Sequence, residues 1–249
     1  MAKIAHELEM AAASAEHAAS QRPTTPIPVQ RRRGRAFLIA ALVAFGGYLV
    51  LLVLVRFNRQ LRLDIDATLH FQRRRHPLLA RLMTAVSWFG FRPQSFLLPS
   101  AAVGALWVLR FRLESVFLGL AWLASFGNFL TKLVVNRPRP QGFGIRVAPA
   151  KILHSSFPSG HVLHYLAFWG FLSYIVFTKA TSPIRWAVLA VVGVFVSLVG
   201  ASRVYLGHHW LTDVLASYLL GFAYLIGLIA FYRRVRARTL RDRGPGAPR

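Results

Sequence analysis

Six long apolar runs, at about 36–55, 95–109, 114–135, 161–178, 185–201 and 212–232, are separated by short polar breaks. An α-helix needs about 20 such residues to cross a bilayer core of roughly 30 Å. The pattern therefore predicts an all-α, polytopic membrane helix bundle with six transmembrane helices. Two connections are long. In the first, 56–94, the stretch from Leu63 to Phe71 has the pattern of an interfacial helix with Asp64 as its cap. Leu78 to Phe91 is apolar but too short to span, so it reads as re-entrant or interfacial. The second, 136–160, is rich in Pro, Gly, Arg and Ser.

Composition agrees with that picture: 55% of the 249 residues are hydrophobic. The formal net charge of +23 would on its own point to nucleic acid. Its distribution argues otherwise. Six of the 31 Lys and Arg residues precede Phe37, and seven lie at or after Arg233. Basic ends flanking apolar spans are expected at the anionic cytoplasmic leaflet. No nucleic-acid partner is expected; the partners are the bilayer and a substrate within it. Three segments follow: a basic, mostly disordered cytoplasmic tail over 1–35, in which Ala11 to Ala19 could form a short helix, a membrane domain over 36–232, and a basic cytoplasmic tail over 233–249. An even number of spans places both tails on one side. Loop 56–94, with seven arginines from Arg56 to Arg81, then faces outward against the positive-inside tendency. Its charges, Arg73-Arg74-Arg75 among them, are read as resting on lipid headgroups.

The polar residues at the span ends carry the chemistry. Span three runs into Lys132 and Arg139, span four opens with Ser159-Gly160-His161, span five ends at Ser202-Arg203, and span six begins after His209 and Asp213. In a six-span topology these four ends share one face. Ionisable groups at such depth are costly and usually functional. Lys132, Arg139 and Arg203 suit the spread negative charge of a phosphate. Pro158 fits the first turn of a helix, where Ser159 and Gly160 would offer backbone N–H groups to an anion. His209 and Asp213, spaced i, i+4, would share a helical face. The carboxylate would then hold the imidazole with one nitrogen free as nucleophile. His161, from the facing helix, would protonate the leaving oxygen. No carboxylate cluster is available for a divalent metal, so no cofactor or metal is expected. The chain has no cysteine, which excludes thiolate chemistry.

Three motifs, K-x6-R-P from Lys132 to Pro140, P-S-G-H from Pro158 to His161, and S-R-x5-H-x3-D from Ser202 to Asp213, occur in this order. On them the chain resembles the type 2 phosphatidic acid phosphatase (PAP2, or lipid phosphate phosphatase) superfamily over roughly 60–232. The resemblance implies a PAP2/haloperoxidase-like core, with the histidine matching His209 as nucleophile and that matching His161 as acid. It implies phosphate binding by Lys132, Arg139, Ser159, Gly160 and Arg203. Asp213 completes the catalytic set. The chain departs from the family in carrying a second histidine, His208, and in having Ser217 where glycine is common.

Arg137 matches no fixed position and is read as a loop or headgroup contact. His208 is read as a neighbour of the nucleophile. The expected activity is metal-independent hydrolysis of a lipid phosphate or diphosphate through a phosphohistidine: an undecaprenyl diphosphate, phosphatidylglycerol phosphate or phosphatidate type, that is, a phospholipid or isoprenoid phosphate. A phosphotransferase using a sugar or lipid acceptor would use the same first step. A haloperoxidase shares the superfamily but is soluble. A transporter would need polar residues along spans one and five, which have almost none. The expected place is a bacterial inner membrane, with the site facing the periplasm.

Overall fold

The structure is a computed structural model that describes residues 27–58, 61–142, 144–150, 155–180 and 183–242. Among these the regular secondary structure is helical: α1 Ile27–Phe57, α2 Arg62–Gln72, α3 Pro77–Trp88, α4 Gln94–Val108 and α5 Arg112–Val135, then α6 Gly160–Lys179, α7 Ile184–Tyr205 and α8 Leu211–Asp242. The chain divides between Phe37 and Leu38, inside α1. Of the first part, helical backbone from Ile27 is described, so 27–35 of the expected tail is helix. Pro28 lies in the first turn, where its missing N–H breaks no bond. The stretch from Ala11 to Ala19 lies outside the described residues. At the other end α8 continues past 232 to Asp242, carrying Arg233, Arg234, Arg236, Arg238 and Arg241.

Among the described residues, five helices are long and apolar enough to cross a membrane: Gly34–Phe57 within α1, α5, α6, α7, and Leu211–Thr239 within α8. The second expected span, α4, has only 15 residues. At 1.5 Å per residue it reaches about 22 Å, short of a full hydrocarbon core of roughly 30 Å. The outer surface is apolar, with Leu42, Val43, Leu133, Val134 and Val191 exposed as a lipid-facing surface requires. One internal cluster joins α5, α6 and α8 through Phe117, Leu118, Phe171, Leu228 and Tyr232. A second joins α3, α6, α7 and α8 through Val86, Val162, Tyr165, Val199 and Val214. At the start of α5 the buried Glu114 accepts from Tyr232 of α8 at 2.7 Å and pairs with Lys179 of α6 at 2.7 Å.

Connection 56–94 folds onto this bundle. Both α2 and α3 pack on α7, and α2 also contacts α8. Asp64 is not the cap expected for α2: the capping position is Leu61, and Asp64 lies two residues inside the helix. Its carboxylate is turned inward instead. Gln72, at the other end of α2, donates to the carbonyls of Arg146 and Tyr205. α2 is thus fixed to the protein at both ends.

Candidate active site

The end of α5, the start of α6, the end of α7 and the start of α8 meet at one face. Lys132, Arg139, Gly160, His161, Arg203 and His209 line one cavity of about 630 Å³ there. Asp213 stands behind His209, and Ser159 is buried at the α6 start. A smaller apolar cleft of about 200 Å³, lined by residues such as Phe89, Trp169 and Phe195, contains none of the expected site residues.

Each element stops where the chemistry needs it. Asn136 ends α5 in the left-handed region (φ 42°), with its N–H on the Lys132 carbonyl. Asparagine tolerates this conformation. Lys132, in the last turn, donates from Nζ to the Ser155 carbonyl at 2.9 Å. Arg139 in the loop donates to the carbonyls of His208 (2.5 Å) and Ser155 (3.2 Å). Burial lowers the Arg139 pKa to about 10, against the opposing pull of Asp213, so it stays charged at neutral pH. Arg203 donates to Ser87 Oγ at 3.1 Å and lies over the Phe91 ring at 5.0 Å. Its Nε and second terminal nitrogen, together with His161 Nε2, Asn128 Oδ1 and Ser159 Oγ, are buried without a hydrogen-bond partner among the described residues. Buried polar atoms are rarely left so. Here Arg203, His161 and Asn128 surround a cavity of the right character for an anion.

The α6 start differs from the sequence expectation in two ways. Gly160 is the first helical residue and Ser159 the capping residue, so Pro158 precedes the helix. The Ser159 N–H is already used: it donates to Ser217 Oγ at 2.7 Å, and Ser217 donates to the Asp213 carbonyl. The serine that stands where glycine was expected thus ties motif two to motif three, and Ser159 does not offer its N–H to an anion. Gly160 and His161 are the members of this turn that reach the cavity.

His209 is placed by a turn rather than by a helical face, since α8 begins only at Leu211. After α7, Gly207 takes φ +69°, its N–H bonds to the Val204 carbonyl, and the His208 N–H bonds to the Arg203 carbonyl. This is a Schellman ending, for which a left-handed glycine is the favoured residue. Asp213, in the first turn of α8, accepts from the Trp210 N–H at 2.9 Å, the return half of a capping box. That places Oδ2 3.5 Å from His209 Nδ1, slightly beyond hydrogen-bond length. Such contacts are often long before substrate is bound. Burial holds the His209 pKa well below the usual histidine range, reinforced by Arg139, Lys132 and Arg203. The ring is neutral at neutral pH, with a lone pair available. His208 is lowered to about 4, chiefly by burial and then by Arg203, and its Nε2 meets the Ala148 carbonyl at 2.8 Å. His208 is not among the residues that line the cavity.

Sequence reasoning missed several participants. Arg137 is no headgroup contact. Its side chain is 0% exposed and bridges Asp213 (2.5 Å) and Asp64 (2.6 Å), both also 0% exposed. Gly90 and Phe91, from the turn after α3, line the cavity. Phe91 packs edge-on against His161 at 4.7 Å, and a side chain at Gly90 would overlap the His161 ring. The polar Asn128, one turn before Lys132 on a largely apolar helix, was the available signal for its place in the wall.

Residues 113–237 match the PAP2 superfamily model. Phosphatidylglycerophosphatase B of Bacillus subtilis (strain 168) is 32% identical over 157 residues, 59% of this chain and 72% of that protein. The crystal structure of a transmembrane PAP2-type phosphatidylglycerolphosphate phosphatase from B. subtilis superposes with a TM-score of 0.68 at 27% identity, covering 78% of this chain and 96% of that one. The structure of Aquifex aeolicus LpxE shares the fold, with a TM-score of 0.54 at 24% identity over 70% of this chain and 98% of that one.

Proposed function

Since the chain belongs to the PAP2 superfamily and is an integral-membrane lipid phosphatase, we propose that it passes the terminal phosphoryl group of a lipid phosphate or diphosphate first to His209 and then to water, without a metal. The observation that carries this reading is one cavity walled by Lys132, Arg139 and Arg203 that also contains His161 and a neutral His209 backed by Asp213. Three cations match the charge spread over the phosphoryl oxygens, and phosphoryl transfer needs little beyond positioning and charge stabilisation. The same wall repels a divalent cation, and the carboxylates of Asp64 and Asp213 are turned onto Arg137.

In the first step the His209 Nε2 lone pair forms a bond to phosphorus as the P–O bond to the lipid breaks. His161 gives its proton to the departing oxygen. Asp213 steadies the positive charge that the ring acquires. In the second step His161 takes a proton from water, the water oxygen bonds to phosphorus, and the P–N bond breaks to release inorganic phosphate. Both histidines return to their starting state.

The relatives' names favour phosphatidylglycerol phosphate as substrate, ahead of undecaprenyl diphosphate and phosphatidate. The proposed organisation is a phosphatase domain over 36–232 between basic cytoplasmic tails, 1–35 and 233–249, in a bacterial inner membrane with the cavity facing the periplasm. The arginines on the end of α8 support that orientation. The test is phosphate release by the purified protein from a panel of these lipids, with EDTA present, beside His209→Ala. EDTA-resistant release that disappears in the variant supports the reading. Loss of phosphate from the lipid only on addition of a hydroxyl acceptor, with the phosphoryl group recovered on that acceptor, would assign a phosphotransferase, and EDTA-sensitive release would remove the metal-free step.

A further inference from the structure

The buried group of Asp64, Arg137 and Thr212 occupies no fixed position of the three motifs, yet Arg137 touches Asp213 directly. We propose that Asp64 and Arg137 are positioning residues that fix the direction of the Asp213 carboxylate and keep its full negative charge available to His209. The inference rests on the phosphohistidine reading above.

Asp213 has two oxygens, and each is held. Oδ1 receives Arg137 at 2.5 Å, and Oδ2 receives the Trp210 N–H at 2.9 Å while facing His209 Nδ1. Arg137 is itself held from the far side. It donates to Thr212 Oγ1 at 2.8 Å and to Asp64 Oδ2 at 2.6 Å. Asp64 in turn accepts the Thr212 hydroxyl and the Thr212 N–H, both at 2.8 Å. A carboxylate from α2 thereby satisfies a first-turn N–H of α8, at the positive end of that helix. The carboxylate cannot rotate away from the imidazole without breaking a bond between buried charges.

Charge explains why Asp64 is needed as well as Arg137. A guanidinium alone against Asp213 would cancel it, leaving a net charge near zero behind the imidazole. Asp64 cancels Arg137 instead, so the three groups carry a net −1 toward His209. During transfer the phosphorylated ring becomes cationic, and it is then faced by Lys132, Arg139 and Arg203, with His208 beside it. The net −1 opposes those charges where the positive charge develops. A clasp serving only to dock α2 would not require buried ions, because apolar replacements of such groups are often equally stable.

The experiment records kcat/KM against pH for the full-length protein in detergent, hydrolysing phosphatidylglycerol phosphate. The variants are Asp64→Asn, Arg137→Gln and the double variant, with folding checked by thermal melting. Asp64→Asn makes the group behind His209 one charge more positive. Its acidic limb therefore moves to lower pH, by about half a unit or more, and kcat falls. Arg137→Gln makes the group one charge more negative, and its limb moves to higher pH. The double variant restores the net charge, so its limb returns to the wild-type position while kcat stays low. Unmoved limbs, or limbs moving in the same direction, overturn the proposal and leave a folding clasp. If Arg137→Gln does not fold, Arg137→Lys keeps the charge but loses the two-pronged bridge. An unmoved limb with kcat about tenfold lower is then expected, and wild-type kcat overturns the proposal. Failure of the underlying reading is distinct: it shows as activity that survives His209→Gln, whatever the limbs do.

Discussion

Replacing Gly90 by alanine tests whether the turn after α3 sets the position of His161. A Cβ there would lie 2.7 Å from His161 Cγ and 2.8 Å from Nε2, whereas ordinary contact begins at 3.4 Å. The ring must therefore retreat by about 0.7 Å at Cγ alone. It cannot do so freely, because Phe91 packs against its edge at 4.7 Å. Misplacement by about 1 Å can cost on the order of 100-fold in rate. A fall in kcat of about 10- to 100-fold is expected, equivalent to about 1.4–2.8 kcal/mol in the barrier. The assay compares a lipid phosphate, whose alkoxide needs a proton as it departs, with an activated aryl phosphate that needs little help. If His161 is the acid, the loss is confined largely to the lipid substrate. Equal losses on both substrates would refute the assignment of the displaced group, and full activity on both would refute the steric argument.

Arg203→Ala removes donors from the cavity wall and should lower kcat/KM by about 100- to 1,000-fold in the phosphate-release assay. Because the folded His209 is neutral well below its ordinary range, activity should persist as pH falls through about 6.5, with the acidic limb of kcat/KM lying lower still. His208, lowered to about 4 in the fold, stays neutral there while the unfolded chain takes up a proton. The melting temperature should therefore drop as pH falls from about 6.5 toward 4, and His208→Asn should flatten that slope. Glu114→Gln removes a buried anion that Tyr232 and Lys179 share at the opposite end of the bundle. It should lower stability by about 1–2 kcal/mol in thermal melts and leave kcat unchanged. The chain has no native thiol, so Ile145→Cys reports orientation cleanly: an impermeant reagent should label it from outside intact cells, and protection would reverse the proposed topology.

The inner helix ends and the shared site face were legible because they follow from run length and from charged residues placed at apolar boundaries, whereas the outer ends of α1 and α8 run past the apolar stretches, to Ile27 and Asp242. Lys132, His161 and Arg203 could be brought to one cavity on topology alone. The link from Asp64 to Arg137 could not, since the two are 73 residues apart and no spacing relates them. Spacing also misled. His209 and Asp213 are four apart, but the histidine sits in a turn before α8, and its position depends on Gly207, whose place just past a helix end was the overlooked signal. A helix start has spare N–H groups, which suggests Ser159 as an anion donor. That it donates instead to Ser217 depends on a tertiary contact with α8. Gly90 and Phe91 lie in a turn without a motif, and only their packing on His161 gives them meaning.

A phosphoryl group carried on His209 can be trapped directly. The purified protein, in EDTA, would be mixed with a lipid phosphate labelled in its terminal phosphoryl group, quenched within the first turnover, and its label mapped to a peptide. The expected result is an acid-labile, base-stable label on the peptide containing His209, absent in His209→Gln. Rapid phosphate release from a fully active protein with no such label, or with the label on another residue, would contradict it.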